Sequence, residues 1–321
     1  MKIAIAVPVY GVEQYIARCA TSLFEQTYSN IEYIFVNDCT PDSSVAVLNS
    51  VVEKYPNRKE QVKIVSHEKN RGLAAARNTA LENCTSDYIM HVDSDDYIDV
   101  RTVELLVDKL KEDDYDIISY NFKVLMKSGD EIWKHPECSN PKEMTLSILK
   151  RNVPVCACGR LIRTALYKDN GIKTIEKVNM SEDYSVTPFL FFYSKKIATI
   201  SAPLYIYDFR NESSYTHSIS ANKVNQDWQA VEHVESFFAP MGQEYVTSIK
   251  YAKMLYLYRQ LIDLSMNNTK ENTELFYKLR AKLSGFTSDD IKMMPFSVRI
   301  VLMIRNIYIL KAFVKIVRFF K

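Results

Sequence analysis

Glycine is scarce in this chain, and the scarcity decides between nucleotide folds. Seven glycines occur in 321 residues, at Gly11, Gly72, Gly129, Gly159, Gly171, Gly242 and Gly285. No two stand close enough for a G-x-G-x-x-G dinucleotide loop or a G-x-x-x-x-G-K phosphate loop, so both of those backbone cradles are excluded. The six cysteines are too few and too scattered for a disulfide scaffold, which points to a reducing compartment. Cys156 and Cys158 lie two apart, but no second cysteine or histidine pair completes a zinc set, and they read as buried or neutral thiols. No stretch approaches the roughly 18 uncharged residues of a membrane span. In MKIAIAVPVYGVEQYI, charge and Pro8 break the apolar run too early for the core of a signal peptide. A cytoplasmic protein, soluble or peripheral, is expected. The net charge of +2 is too small to argue for nucleic acid as a partner. Acid is missing altogether beyond Asp290, where Lys292, Arg299, Arg305, Lys311, Lys315, Arg318 and Lys321 stand alone.

What is present is an ordinary globular composition, 47% hydrophobic and 25% charged, enough for one large domain or two modest ones. The run IAIAVPV (3–9) reads as a strand, followed by a helical pattern from about Val12 to Gln26. The alternation then repeats: strand 31–38, helix Ser43 to Tyr55, strand 62–67, helix Ala74 to Cys84, strand 88–93. Strand and helix in regular succession predict an α/β fold with a mostly parallel central sheet flanked by helices. Beyond residue 100 come a helix (100–113), a strand (116–125), turn-rich stretches to about Tyr207, and a mostly helical region from Asn222. The expected organisation is 1–100 as a nucleotide-binding half, 101–221 as an acceptor-binding half, and 222–321 as a helical region.

In such sheets ligands lie at the carboxyl ends of the strands, which directs attention to Pro8–Tyr10, Asn37–Asp42 and Asp93–Asp96. In HVDSDDYID, Asp93 and Asp95 stand two apart at a strand end. In extended chain, residues i and i+2 point to one side about 6.6 Å apart, so their oxygens can converge on a hard cation. An exposed acidic turn is the plainer alternative. A divalent metal would replace the missing glycine loop as a phosphate site, and would neutralise charge on a departing diphosphate.

Five segments in order, VPVYGVEQYIARCATSLFEQTY, VNDCTPDSS, NRGLAAARNTAL, DSDDYID and SEDYSVTPF, resemble the inverting glycosyltransferases of family 2, which have the GT-A fold, a Rossmann-like variant. The resemblance covers about residues 1 to 190. It implies a UDP-sugar donor, an Mg²⁺ or Mn²⁺ cofactor, and a glycan or lipid-linked acceptor in bacterial cell-surface polysaccharide or glycoconjugate synthesis. It further implies that Pro8, Val9, Tyr10 and Glu13 line the base and ribose pocket, and that Asp38 accepts a hydrogen bond from the uracil. Asp38 ends a strand, so its carboxylate is expected to face the cleft. The cap of the following helix falls to Asp42 or Ser43. Arg71, Gly72 and Arg77 match the phosphate and ribose side, where Gly72 permits close backbone approach and a helix N-terminus favours anions. Arg77 has an alternative as partner of a nearby acid or of the metal-binding aspartates. Asp93 and Ser94 match donor contacts, and Asp95 with Asp93 matches the metal ligands.

By the same resemblance the base that takes the acceptor's proton is Asp183, in the Glu182-Asp183 pair. Ser181, Glu182 and Asp183 would also charge and cap the helix that follows. Glu182 would turn toward the acceptor or Arg160, itself a candidate contact to phosphate or acceptor. The segment 207–220 resembles a mobile loop that closes over donor, in which His217 could add a metal ligand. At the end of the chain, Ile309, Phe313, Ile316, Val317 and Phe320 form one apolar stripe with Lys311, Lys315 and Arg318 beside it. Such a helix within 295–321 suits an anionic membrane surface, or else packing on the catalytic domain or a second subunit. A sugar nucleotidyltransferase would need a glycine- and lysine-rich loop that VPVYGVEQ lacks. A non-catalytic sugar-binding scaffold should have lost the carboxylates that are here.

Overall fold

The computed structural model describes residues 1–210, 219–267 and 269–319. Its chain divides into two compact units, one made of 1–148 with 153–213 and the other of 149–152 with 214–321.

The first unit is built on a nine-stranded mixed sheet. Strands β1 (Ile3–Val9), β2 (Ile31–Asn37), β3 (Val62–Ser66) and β4 (Tyr88–His91) alternate with helices α1 (Ile16–Phe24), α2 (Ser44–Val52) and α3 (Leu73–Glu82). These four strands pair in parallel in the order β3-β2-β1-β4. The parallel half expected from the first hundred residues is therefore present. Parallel strands are covered on both faces, which is why β1 reads IAIAVPV with hardly a polar residue and has six of its seven residues buried. Helix α1 starts at Ile16 and not near Val12; Tyr15 and Ile16 both donate to the Val12 carbonyl, so residues 12–15 form a lead-in turn.

Beyond residue 98 the sheet changes character. Strand β5 (Tyr97–Ile98) is followed by α4 (Thr102–Leu110), β6 (Ile117–Leu125), β7 (Glu131–Trp133), α5 (Pro141–Leu149), β8 (Arg160–Arg163), α6 (Thr164–Asp169), α7 (Thr187–Tyr193) and β9 (Ile197–Asp208). Strand β8 is inserted antiparallel between β4 and β6, and β9 runs parallel to β6 before its far end pairs antiparallel with β5. Three strands and three helices thus occupy the stretch after residue 126 that the sequence pattern reads as turns. The core joins both halves, with Ile3, Ile5, Tyr33, Phe35, Met90, Ile118, Tyr120 and Leu161 all inaccessible to solvent. Each such side chain contributes about 1.5–3 kcal/mol relative to exposure.

The second unit is helical, as the sequence predicts: α8 (Ala221–Phe238), α9 (Gln243–Met266), α10 (Lys270–Ala281), α11 (Ser288–Lys292), α12 (Phe296–Met303) and α13 (Ile307–Phe319). Its core joins Trp228, Leu257, Leu261 and Phe276 to Val301, Ile307, Leu310 and Val314. The side of α13 that packs is therefore Ile307, Leu310 and Val314, with Phe313 half-buried against them. Ile309, Ile316 and Val317 of the expected apolar stripe face solvent, and Phe320 lies outside the described residues. No helix of the described residues is long and apolar enough to cross a membrane.

Candidate functional site

The carboxyl ends of β1, β2 and β3 are stitched level, with Asp38 N–H donating to Val9 O at 3.1 Å and His67 N–H to Asn37 O at 2.9 Å. The candidate residues fall at this edge in three groups. In the first, the Glu13 N–H donates to Asp42, while the Glu13 carboxylate accepts from the Ser43 N–H at 3.0 Å. Asp42 also accepts from the Thr40 hydroxyl and from both the N–H and hydroxyl of Ser44. Burial works against that charge, but the hydrogen bonds from Ser44, Thr40 and Glu13 outweigh it and lower the Asp42 carboxyl to about 2. Pro8 is half-buried, Val9 is buried and Tyr10 is exposed just ahead of this group.

The second group is organised by Asp38, and here the expectation from sequence is corrected. The Asp38 carboxylate does not stand free toward a cleft; it is 3% exposed. One oxygen accepts the Arg71 N–H at 2.7 Å and meets His67 Nδ1 at 2.6 Å, and the other accepts the Gly72 N–H at 2.7 Å. Asp38 thus holds the loop that opens α3. The N-terminus of α3 is likewise taken from within: the Asn179 side chain accepts the Ala74 N–H at 3.1 Å. Gly72 is required here, because its φ of +90° is glycine's territory and a Cβ would lie 2.3 Å from Asn179 Nδ2. The close backbone approach expected at Gly72 is made by Asn179 and not by a ligand. The Arg71 side chain points outward to Glu176 at 2.8 Å.

The third group gathers acids around one buried cation. Arg77, on α3, is 5% exposed and reaches Asp93 Oδ1 at 3.1 Å, Glu182 Oε1 at 3.6 Å and Asp183 Oδ1 at 3.8 Å. All three carboxylates share Nη2, while Nε and Nη1 are buried without a hydrogen-bond partner. Burial works against the charge on Arg77, but Asp93 and Asp183 outweigh it and hold the cation firmly in place. Burial and the charge of Asp183 push the Glu182 carboxyl up to about 8. Asp183 is raised as well by burial, and Arg77 pulls it back. Of the two, Asp183 is the more accessible, at 21% of its side chain against 8% for Glu182. The partner of Glu182 is Arg77. Arg160 is 1% exposed and spends its guanidinium on the Pro154 and Cys156 carbonyls, so its expected contact to phosphate or acceptor is not available in this arrangement.

Asp93 to Asp96 form a tight turn closed by Asp96 N–H to Asp93 O at 3.0 Å, not the extended chain from which convergence of Asp93 and Asp95 was argued. The turn is held by residues that the sequence did not point to. The Tyr205 hydroxyl, on β9, donates to Asp96 Oδ2 at 2.8 Å and accepts the Asp93 N–H at 3.0 Å. The Asp208 N–H donates to the other Asp96 oxygen, and Arg18 bridges the Asp208 carboxylate and the Asp95 carbonyl, each at 2.8 Å. Cys158 is kept a neutral thiol by burial and by the charge of Asp93, to whose Oδ2 it donates at 3.4 Å. Ser94 is buried in the turn and Asp95 is half-buried.

Among the described residues no three His, Cys, Asp or Glu side chains come together as a complete metal cage. Oxygen donors in a turn, with Asp93 already engaged by Arg77 and Cys158, fit an ion that keeps one or two carboxylates and takes its other ligands from a bound diphosphate. His217 lies outside the described residues.

Comparison with known proteins bears on this edge. The family model described as Glycosyl transferase family 2 matches residues 4–171, more than half of the chain. Glycosyltransferase GlyA of Streptococcus pneumoniae is 28% identical over 83% of this chain and 38% of its own length. The poly(ribitol-phosphate) beta-N-acetylglucosaminyltransferase TarS of Staphylococcus aureus is 29% identical over 68% of this chain and 37% of its own. The chain thus spans less than half the length of either relative. A crystal structure of TarS residues 1–349 in complex with UDP-GlcNAc superposes with a TM-score of 0.66 at 23% identity, covering 94% of this chain and 84% of that one. A mannosyltransferase from Pyrobaculum calidifontis, solved with GDP-Man and Mn²⁺, has a TM-score of 0.51 at 14% identity, covering 98% of this chain and 87% of that one.

Proposed function

The chain belongs to glycosyl transferase family 2, and from that premise we propose that it transfers a sugar from a UDP-sugar to a hydroxyl of a glycan or lipid-linked acceptor, with inversion. The observation that carries the reading is the meeting of Asp93 and Asp183 on Arg77, within 3.1 and 3.8 Å, at the strand ends where such sheets take ligands. The UDP-GlcNAc in the TarS crystal structure supports the choice of nucleotide.

In this reading Asp183 is the base. Inversion needs a carboxylate on the face opposite the leaving diphosphate, and Asp183 takes the acceptor proton there as the hydroxyl oxygen bonds to the anomeric carbon. Arg77 orients Asp183 and, together with Glu182, spaces it from Asp93. Asp95 and Asp93 would hold Mg²⁺ or Mn²⁺, which when bound neutralises charge on the departing diphosphate. Tyr205 and Arg18 fix the turn so that those acids do not swing away. Pro8, Val9, Tyr10 and Glu13 line the nucleotide side. Asp38 serves the same side as a positioning residue, by fixing the 71–72 loop through two backbone amides.

We further place this activity at an anionic membrane face. Tyr308, Ile309 and Ile316 expose 63, 61 and 57% of their surface, beside Lys311 and Lys315 on the same helix. An amphipathic helix of this kind seats apolar side chains below cationic ones at headgroup level.

The test is calorimetric titration of UDP, GDP and dTDP, with Mn²⁺ and with chelator, into the parent and Asp95→Ala. Metal-dependent binding of UDP, lost in the variant, is the expected result. Failure of all three nucleotides to bind the parent would leave a non-catalytic scaffold as the better description.

A further inference from the structure

The outer end of β9 carries an aromatic surface that the reaction above does not use. Strand β6 lies between β7 and β9, with Phe122 in register with Trp133 on one side and Tyr205 on the other. Three further rings continue this face outward: Trp133 lies 6.0 Å from Tyr207 and 6.5 Å from Phe209, and Tyr207 lies 5.8 Å from Phe209. Trp133 and Phe209 are 40 and 44% exposed, whereas Tyr205 and Phe122 beneath them are buried. The row therefore starts under the catalytic turn, where the Tyr205 hydroxyl bonds the Asp93 amide, and runs out to solvent. Along a strand, Tyr207 stands about 6.6 Å beyond Tyr205 and Phe209 about 13 Å beyond it. The pairing persists that far, since the Phe209 N–H donates to Leu125 O at 3.1 Å.

Clustered aromatic rings facing water are costly for a soluble surface and mark a recognition site. The negative face of an aromatic ring attracts polarised C–H groups, and one side of a pyranose ring is lined with them. The rim supplies hydroxyl partners of both signs: Glu131, which holds the Trp133 indole N–H at 3.3 Å, and Arg210, which is paired to Asp208 at 2.7 Å. The Glu131 carboxylate is wrong for an anionic lipid surface and right for sugar hydroxyls.

We propose that Trp133, Tyr207 and Phe209 form a stacking platform for the acceptor, binding pyranose rings one or more units back from the hydroxyl that is glycosylated. This rests on the glycosyltransferase reading. The platform selects acceptors that present sugar rings, and favours longer chains over single sugars.

The test uses the full chain with UDP and Mn²⁺, applied to a printed array of bacterial surface oligosaccharides. The parent is compared with Trp133→Ala, Tyr207→Ala and Trp133→Phe, and UDP affinity is measured for each by calorimetry. The parent is expected to bind pyranose oligosaccharides of about three or more units. Trp133→Ala and Tyr207→Ala should weaken this about tenfold with UDP affinity unchanged, and Trp133→Phe should stay near the parent. Equal glycan binding by parent and alanine variants overturns the platform, as does UDP binding by a parent that takes no glycan. Loss of sedimentation with phosphatidylglycerol vesicles in the alanine variants, without loss of glycan binding, would assign the surface to membrane instead. If the parent binds no UDP, it is the glycosyltransferase reading that fails.

Discussion

Replacing Gly72 by alanine tests how the loop before α3 is held. Two costs add at this position. A backbone with φ +90° and ψ 167° is reached almost only by glycine, and forcing another residue into it costs about 1–3 kcal/mol. The new Cβ would also lie 2.3 Å from Nδ2 and 2.5 Å from Oδ1 of Asn179, an overlap that costs about 1–3 kcal/mol to relieve. A central value of about 4 kcal/mol lowers the melting midpoint of a unit this size by about 8–16 °C. Scanning calorimetry on the full chain reads this directly. The companion variant Asn179→Ala loses the acceptor of the Ala74 N–H, a loss of about 1 kcal/mol. Because it also empties the space the Cβ needs, the double variant should be no less stable than Gly72→Ala alone. That is a favourable coupling of about 1–3 kcal/mol. A Gly72→Ala midpoint within 2 °C of the parent (about 1 kcal/mol or less), or strict additivity in the double variant, would refute the contact.

The base assignment predicts that Asp183→Asn lowers transfer by about 10²–10⁴-fold while UDP affinity holds; near-parental turnover would remove Asp183 from that role. For Glu182 the folded carboxyl is raised to about 8 from an ordinary 4.5. Its stabilising contribution is thus complete below about pH 4.5 and is lost as the pH rises through 8. Melting midpoints across that window should fall for the parent and flatten in Glu182→Gln, and parallel curves would contradict the environment described. Residues 296–314 help build the helical core, so truncating the tail would confound membrane binding with unfolding. Ile309→Asp with Ile316→Asp changes only exposed positions, and should abolish sedimentation with phosphatidylglycerol vesicles without lowering the melting midpoint; unchanged sedimentation counts against the membrane face.

The two halves of the sheet differ in how readily they are read from sequence, for a physical reason. Strands β1 to β4 are parallel and covered on both faces, so each is an apolar run that needs no partner to be recognised. Strand β8 is four residues long and begins and ends in arginine. Strand β9 contains Ser201 and Pro203, both exposed, and otherwise buries its side chains only partly from Ala198 to Ala202. Neither pattern stands out from loop without knowledge of its neighbours. The same holds at the site. Arg77 as partner of the Asp93 turn was open from sequence, because both kinds of residue were in view. Tyr205, Cys158 and Asn179 act through bonds to residues 65 to 112 positions away. Asp38 was misjudged because a carboxylate at a strand end can face either the cleft or the next loop, and only the fold says which.

The tie between Tyr205 and the Asp93 turn also bears on how the protein is made. All residues of strands β1 to β4 have left the ribosome once about ninety have emerged, because synthesis runs from the N-terminus. The turn that carries Asp93 and Asp95 gains its clamp only when Tyr205 and Asp208 emerge, more than a hundred residues later. A chain released before that point would have the parallel half of the sheet but no clamp on the Asp93 turn and no Asp208 to anchor Arg18. Interrupted synthesis therefore yields fragments whose Asp93 turn is unclamped, and the turn is completed late, by one strand laid down near the end of the unit.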